Sequence, residues 1–324
     1  MSRRAVFQAL MVVVAIVVAA DLTIQRMALR SVPRQLIRSI DSAPPTIDVL
    51  GIGNSLIAAG FDPSTVEETF LKSGRTGIAL NGGLGATGVI EHLALTRLAL
   101  RRHHVKTLVY GFFDQQMAVD LAKSNSDLIG NRNMLYYQEP QLTAQYAHFD
   151  PLDRLTFQVY RRSALLRERG SIWGSVEKMR RAMASFGMPQ EETNRFGRRA
   201  DFTLLEASDP RSFSVACEGA MRSGELLSAP VQAMLRQARD HGAKVIVLEM
   251  PMHPSHLKDF YSQPIWEKFR ASTKAAVEGA GGTYLNASAW ISGADLFDDN
   301  LHLSKAGARE FSRLLAEDLM RQGN

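Results

Sequence analysis

Cysteine occurs once in 324 residues, at Cys217, which excludes an internal disulfide framework and any cysteine-rich metal module. No long run of one charge is present: 38 Lys+Arg against 33 Asp+Glu leave a net +5, with the arginines spread along the chain. That excess suits acidic glycans or anionic lipid, and no nucleic acid partner is expected from it. Gly82-Gly83-Leu84-Gly85 suggests a nucleotide loop, but no Gly-x-Gly-x-x-Gly follows the first apolar strand and no Lys-Ser/Thr P-loop occurs, so no phosphate cradle is expected. No internal repeat or low-complexity tract stands out. What remains is 45% hydrophobic and 22% charged, the balance of a globular protein and not of a disordered or fibrous one. At ~150 residues per domain, the length suits two domains or one α/β domain with a large insertion.

Arg3 and Arg4 precede an apolar run from Ala5 to Ala20, broken only by Gln8 and closed by Asp21. Sixteen residues at ~1.5 Å each cover about 24 Å, which fits a signal-anchor helix or the apolar core of a signal peptide. Val18-Ala19-Ala20 keeps cleavage open, and an uncleaved anchor is the favoured reading. Either way the chain from Asp21 onward is expected outside the cytoplasm, in a bacterium on the periplasmic face of the inner membrane, or exported if cleaved. Residues 21–46 then read as a juxtamembrane stem, ended by Ser42-Ala43-Pro44-Pro45.

Beyond the stem, short apolar strands alternate with helices. Strands are predicted at Ile47–Ile52, Gly77–Leu80, Thr107–Tyr110, Lys244–Leu248 and Thr283–Leu285. Asp62-Pro63 supplies an N-cap and a first-turn proline for a helix to about Lys72. A glycine-rich loop, Asn81 to Gly88, leads to a helix with Val89, Ile90, Leu93 and Leu98 on one side. Pro230 opens another helix that stops at Gly242, and Ala308, Phe311, Leu315 and Leu319 mark an amphipathic C-terminal helix. This pattern predicts an α/β domain, a parallel sheet covered on both faces, over 47–114 and 230–324. Residues 115–229 read as a mostly helical insertion between strands three and four, a cap over the strand ends. It is Arg-rich around Asp153–Ala184 and loop-like around Asn194–Ser228.

Ligands of open parallel sheets bind beyond the carboxyl ends of the strands. Ser55 follows strand one in Gly53-Asn54-Ser55-Leu56, and His302 sits in Asp299-Asn300-Leu301-His302 ahead of the last helix. A serine nucleophile needs a base, and an imidazole base needs a carboxylate to fix its tautomer. Asp-x-x-His supplies both on one loop; Asp298 competes for the carboxylate role, and the three-residue spacing favours Asp299. Backbone N–H groups of Ser55 and Gly85 can supply an oxyanion hole.

Gly-x-Ser-Leu after strand one, Gly-x-Thr after strand two, Gly-x-x-Asp after strand three and Asp-x-x-His before the last helix together resemble the SGNH (GDSL-type) hydrolase superfamily. The resemblance covers about residues 47–114 and 243–320. It implies a flavodoxin-like three-layer α/β/α domain, Ser55 as nucleophile, His302 as general base, Asp299 as its orienting partner and Gly85 as an oxyanion donor. Asn54 stands where the family usually has Asp, and Phe113 where it has an oxyanion asparagine. Membrane-anchored relatives that partner membrane-bound O-acyltransferases in envelope polysaccharide modification often diverge in these blocks, and the chain looks closer to them than to free secreted esterases.

Asn54, Asp114, His253 and His256 are candidates for substrate contact on the same rim. His253 and His256 lack further ligands for a metal site, so their proline-stiffened loop is the simpler reading, and no metal or organic cofactor is expected. Arg161, Arg162, Arg167, Arg169, Arg180 and Arg181 form either a surface for acidic glycan or lipid headgroups, or solvated helix faces. The functional expectation is an esterase or O-acyltransferase acting on O-acyl, most simply acetyl, esters of envelope or exported polysaccharide. The rival is a non-catalytic protein that binds glycan or docks on an acyltransferase, and a thioesterase or phospholipase on the same fold stays open.

Overall fold

The computed structural model describes residues 3–28, 32–113, 117–118, 139–147, 149–169, 172–173, 176, 179–180, 183 and 210–322. In chain order the elements are α1 (Arg3–Ala28), α2 (Val32–Asp41), β1 (Thr46–Gly53), α3 (Ser55–Gly60), α4 (Pro63–Lys72), β2 (Ala79–Gly83), α5 (Val89–Leu100) and β3 (His104–Phe112). The segment between β3 and β4 carries α6 (Pro140–Tyr146), α7 (Pro151–Arg162), α8 (Ala164–Arg167), α9 (Pro210–Ser223) and α10 (Ala229–Asp240). β4 (Lys244–Glu249), α11 (Pro254–His256), α12 (Pro264–Gly279), β5 (Thr283–Asn286) and α13 (Lys305–Gln322) complete the chain.

The five strands are all parallel, in the order β2-β1-β3-β4-β5. This is the flavodoxin-like arrangement, in which the order reverses between β1 and β3 and opens a crevice at their carboxyl ends. Strand residues alternate between two faces. Val49, Val109, Ile246 and Leu248 join a core with Ile57, Val66, Phe70, Trp266, Phe269, Phe311 and Leu315 from α3, α4, α12 and α13, and with Phe61 just after α3. Leu50, Ile52, Leu108 and Tyr110 are just as buried on the other face, where α5 packs on β1 and β3 and α10 on β4. Full burial of each large apolar side chain contributes roughly 1.5–3 kcal/mol.

Helix boundaries follow local chemistry. Asp62 accepts from the N–H of Ser64 at the start of α4, with Pro63 in the first turn. Gly242 takes φ 82 after α10, a left-handed value that suits glycine at a helix end.

Three expectations need correction. The second strand begins later and runs through Gly83, so Asn81-Gly82-Gly83 is sheet and not loop. The reason is a row of glycines in register, Gly83, Gly53 and Gly111, across the ends of β2, β1 and β3. A Cβ on Gly83 would overlap the Ala58 nitrogen and lie 2.8 Å from Ala58 Cα and Ile57 C, while one on Gly53 would lie 2.7 Å from Ile57 Cγ1. Only a strip without side chains lets α3 lie directly on the sheet. Second, α5 is not apolar on one side alone: Glu91, His92 and Thr96 are buried with Val89, Ile90 and Leu93, whereas Leu98 is half-buried. Third, the stretch read as loop-like to Ser228 contains α9, whose Phe213, Cys217 and Ala220, at helical spacing, join the core.

By compactness the chain divides into two units, residues 1–38 with 123–190, and residues 39–122 with 191–324. The second holds the sheet. In the first, α1 contains a 24-residue stretch, Arg3–Arg26, long and apolar enough to cross a membrane: its most apolar 18-residue window has a mean hydropathy of 2.4, and none of that window is buried. The helix continues past Ala20 to Ala28, into the stretch read as stem.

Candidate active site

Ser55 is the first residue of α3, placed there by the sharp exit from β1. Asn54 caps the helix in an extended conformation, its side-chain oxygen accepting the Leu56 N–H at 2.8 Å. This occupies the Asn54 oxygen in the turn that presents the serine. Ser55 itself is half-buried. Its N–H, at a helix start, has no acceptor within the helix.

The imidazole beside it comes from the other end of the chain. An antiparallel bridge between Phe297 and Leu303 and a 2.8 Å bond from the Asp298 N–H to the His302 carbonyl close a tight loop before α13. Inside it, Asp299 Oδ1 accepts the N–H groups of Leu301 (2.9 Å) and His302 (2.7 Å), and Oδ2 lies 2.9 Å from His302 Nδ1. His302 Nε2 then lies 2.8 Å from Ser55 Oγ, across 247 residues of sequence. Asp299 and His302 are both buried. Asp298 contributes its backbone to the loop, and the carboxylate against the imidazole is that of Asp299.

Burial alone would push the Asp299 carboxyl up, but the His302 ring, its charge and the two backbone N–H donors together hold it below the usual carboxylate range. An ionised carboxylate at Nδ1 keeps the proton on that nitrogen and leaves the Nε2 lone pair facing the serine hydroxyl.

The third side is the turn after β2. The Leu84 N–H donates to the Gly53 carbonyl at 3.1 Å, fastening the turn to the end of β1. A Cβ on Gly85 would lie 3.8 Å from Ser55 Cβ, so the Gly85 backbone runs beside the serine. Ala86 takes φ 57, a left-handed value uncommon for a residue with a side chain. The surroundings hold it there: Thr87 Oγ1 donates to the Leu84 carbonyl and lies 3.0 Å from His92 Nε2, and His92 Nδ1 lies 3.2 Å from the Tyr110 hydroxyl. Glu91 accepts the Gly88 N–H at 2.5 Å. Thr87, Glu91, His92 and Tyr110 are all buried. This buried polar row was not read from the sequence; its trace there is Glu91-His92 and Thr96 in a helix whose other residues, Arg97 apart, are apolar.

The other expected residues are placed as follows. His253 caps α11, with Nδ1 2.7 Å from Ser255 Oγ and its ring edge-on to Phe297 at 5.2 Å. Burial and then the neighbouring His256 lower its pKa, against the opposing charge of Asp299. His256 is buried and stacks on Phe260 at 4.9 Å. Among the described residues no group of three or more His, Cys, Asp or Glu gathers as metal ligands would. Phe113 packs against the core, two residues past the Gly53–Gly111 pair that ends the β1–β3 ladder. Asp114 and Arg181 lie outside the described residues. Arg167 is buried beside Glu168 and donates to the Arg161 carbonyl, so it is a packing residue and not part of a solvent-facing basic surface. A cleft of about 530 Å³ lined by Asp48, Arg75, Lys106 and Lys244 lies toward the opposite, amino-terminal ends of the strands, away from the serine.

No protein-family model matches the chain, and no curated protein matches it. Solved structures do. One is described as a "putative platelet activating factor" from Streptococcus pneumonia, 10% identical with a TM-score of 0.40, the match covering 96% of this chain and 98% of that one. Another is a "putative acylhydrolase" from Bacteroides fragilis, 12% identical with a TM-score of 0.40, covering 91% and 100%. Likeness at this level says nothing of chemistry, which is argued from Ser55, His302 and Asp299.

Proposed function

We propose that this chain is a serine esterase or O-acyltransferase of SGNH type, held to the bacterial inner membrane by α1 with its catalytic domain on the periplasmic side, and acting on O-acyl esters of envelope or exported polysaccharide. The observation that carries the chemical part is the unbroken row from Ser55 Oγ through His302 to the Asp299 carboxylate. Ser55 Oγ attacks the acyl carbonyl carbon while His302 Nε2 takes the hydroxyl proton. The tetrahedral oxyanion is met by the Ser55 and Gly85 N–H groups. As the intermediate collapses, the ester C–O bond breaks and His302 returns the proton to the departing sugar oxygen. A second hydroxyl, from water in an esterase or from a sugar in a transferase, then attacks the acyl-serine by the same route in reverse. No step requires a metal or organic cofactor. Acylated polysaccharide as the substrate, and a membrane-bound O-acyltransferase as a partner, are supported by the family resemblance and by the apolar span of α1.

One observation favours the rival, a glycan-binding or acyltransferase-docking protein without turnover: Phe113 offers no side-chain donor where a third oxyanion contact would sit. Losing one such donor typically costs ~2.7–4 kcal/mol of transition-state stabilisation. One experiment separates the two. Full-length protein in detergent is treated with a fluorophosphonate probe, the adduct is located by peptide mass spectrometry, and acetylated sugars are then screened for acetate release. An adduct on Ser55, absent in Ser55→Ala, together with acetate release is expected. Glycan binding with neither adduct nor release would replace the enzyme by the rival.

A further inference from the structure

The unit formed by residues 1–38 and 123–190 exposes an apolar surface beside the end of its own membrane-length helix. In α7, Leu152, Leu155 and Val159 recur at helical spacing and are 70%, 62% and 42% exposed. The opposite side of the same helix is already used: Phe157 is buried and packs on Phe149 with ring centroids 5.3 Å apart. So α7 has two apolar faces, one in the protein and one outside it. A surface stripe of two leucines and a valine on one helix is not needed to fold this unit.

Its height relative to α1 is set by hydrogen bonds. Asp21, which closes the apolar run of α1, accepts the Ser163 hydroxyl at 2.7 Å and the Leu165 N–H at 2.8 Å through one oxygen. Ser163 is the residue that joins α7 to α8. The carboxyl end of α7 is therefore fastened where the hydrocarbon-crossing part of α1 stops, at the level of lipid headgroups if α1 spans a bilayer. Charge fills the exposed surface beside the stripe and behind it. Arg162, three residues past Val159, borders the stripe, Arg154 and Arg161 are exposed on the side of Phe157, and Arg169 follows with its guanidinium 4.3 Å from the Tyr160 ring. Of the nearby acids, Asp150 is turned to the Asp153 N–H as the helix cap and Asp153 is half-buried. An apolar stripe with Arg162 at its edge and further arginines on the polar side, at headgroup height, matches the chemistry of an amphipathic helix lying in a membrane surface.

We propose that α7 is a second membrane contact, lying in the interface of the leaflet that α1 leaves at Asp21, with Leu152, Leu155 and Val159 in the acyl boundary and Arg161 and Arg162 on the phosphates of anionic phospholipid. The inference rests on the reading of α1 as a membrane span. One helix alone lets the unit swivel; a span and an interfacial helix together fix its orientation to the bilayer.

Full-length protein with Cys217→Ala is placed in nanodiscs of phosphatidylcholine with or without phosphatidylglycerol, carrying a nitroxide at one of three positions: Val13→Cys in α1, Leu155→Cys in α7, or Leu71→Cys in exposed α4 as the aqueous control. Accessibility to oxygen and to a water-soluble nickel chelate reports depth. Val13 is expected in hydrocarbon, Leu155 about 5–10 Å into the interface, and Leu71 in water. Arg161→Glu with Arg162→Glu is expected to move the Leu155 label toward water, most in discs with phosphatidylglycerol. A Leu155 label as aqueous as Leu71 while Val13 is in hydrocarbon would overturn the proposal and leave the α1 span standing; such a result would assign the stripe to a protein or glycan partner. A Val13 label in water would remove the span itself and the proposal with it.

Discussion

Replacing Asp299 by Asn tests the proposed chemistry with almost no change in shape. The carboxylate receives the Leu301 and His302 N–H groups on Oδ1 and the imidazole Nδ1 at 2.9 Å on Oδ2. An amide keeps an oxygen for the two backbone donors and puts an NH₂ where Oδ2 was. Two donors cannot face each other, so His302 must shift its proton to Nε2, which then donates toward Ser55 Oγ across the 2.8 Å contact instead of accepting from it. In a Ser-His-Asp arrangement this tautomer error costs about 10⁴-fold in kcat, or ~5.4 kcal/mol at ~1.36 kcal/mol per decade. The folding penalty is of a different size, about 1–2 kcal/mol for hydrogen bonds that lose a charged acceptor. The assay is the second-order rate of Ser55 labelling by a fluorophosphonate, with acetate release as a second readout and thermal melting as the control for folding. A loss of at least 10³-fold in both rates, with the melting transition shifted by only a few degrees, is expected. Labelling of Asp299→Asn within tenfold of the unaltered protein would refute the assignment of Asp299 as the group that orients the base.

Two neighbouring glycines should respond in opposite ways. Gly83→Ala drives a methyl into the Ala58 and Ile57 backbone of the helix that carries Ser55, so a loss of roughly 1–3 kcal/mol in stability and a fall in labelling are expected, whereas Gly85→Ala has 3.8 Å to Ser55 Cβ and should melt like the unaltered protein. Thr87→Val removes the hydroxyl that bonds the Leu84 carbonyl and faces His92 Nε2 in a buried site; calorimetry should show a loss of about 1–3 kcal/mol, kcat should fall more than KM rises, and Thr87→Ser should restore both. Asp62 is held below the usual carboxylate range: burial raises it, and bonds from the Ser64 and Thr65 hydroxyls and amides outweigh that. A carboxyl lowered in the folded state binds fewer protons there than when unfolded, so its contribution is present above the unfolded value of ~3.9 and disappears as pH falls through the folded one. The ~1 kcal/mol stability difference between the unaltered protein and Asp62→Ala should therefore hold from pH ~8 to ~5 in denaturant titrations and shrink below about pH 4.

Local chemistry was legible wherever neighbours in sequence decide the outcome. The strand starting near Ile47, the Asp62-Pro63 helix start, the glycine stop after α10 and the apolar face of α13 each depend on a few adjacent residues, and an alternation of short apolar strands with helices has few packings other than a covered parallel sheet. The residue types of the site were legible as well, because Ser55 follows a strand and Asp299 and His302 share one loop. Neighbouring residues alone could not settle what each glycine was for. Gly82 and Gly83 carry the composition of a loop, yet Gly83 is in a strand because α3 presses on the sheet there, a contact between segments some 25 residues apart. The same holds for α9, where three core residues in a polar stretch gain meaning only from the aromatic cluster they pack against. His92 looks like a lone polar residue until Thr87 and Tyr110 are folded onto it. Above all, the 2.8 Å between Ser55 and His302 belongs to no local pattern: it exists because the parallel sheet brings the end of β1 and the loop before α13 to one crevice, and hydrogen-bond geometry is set at that meeting.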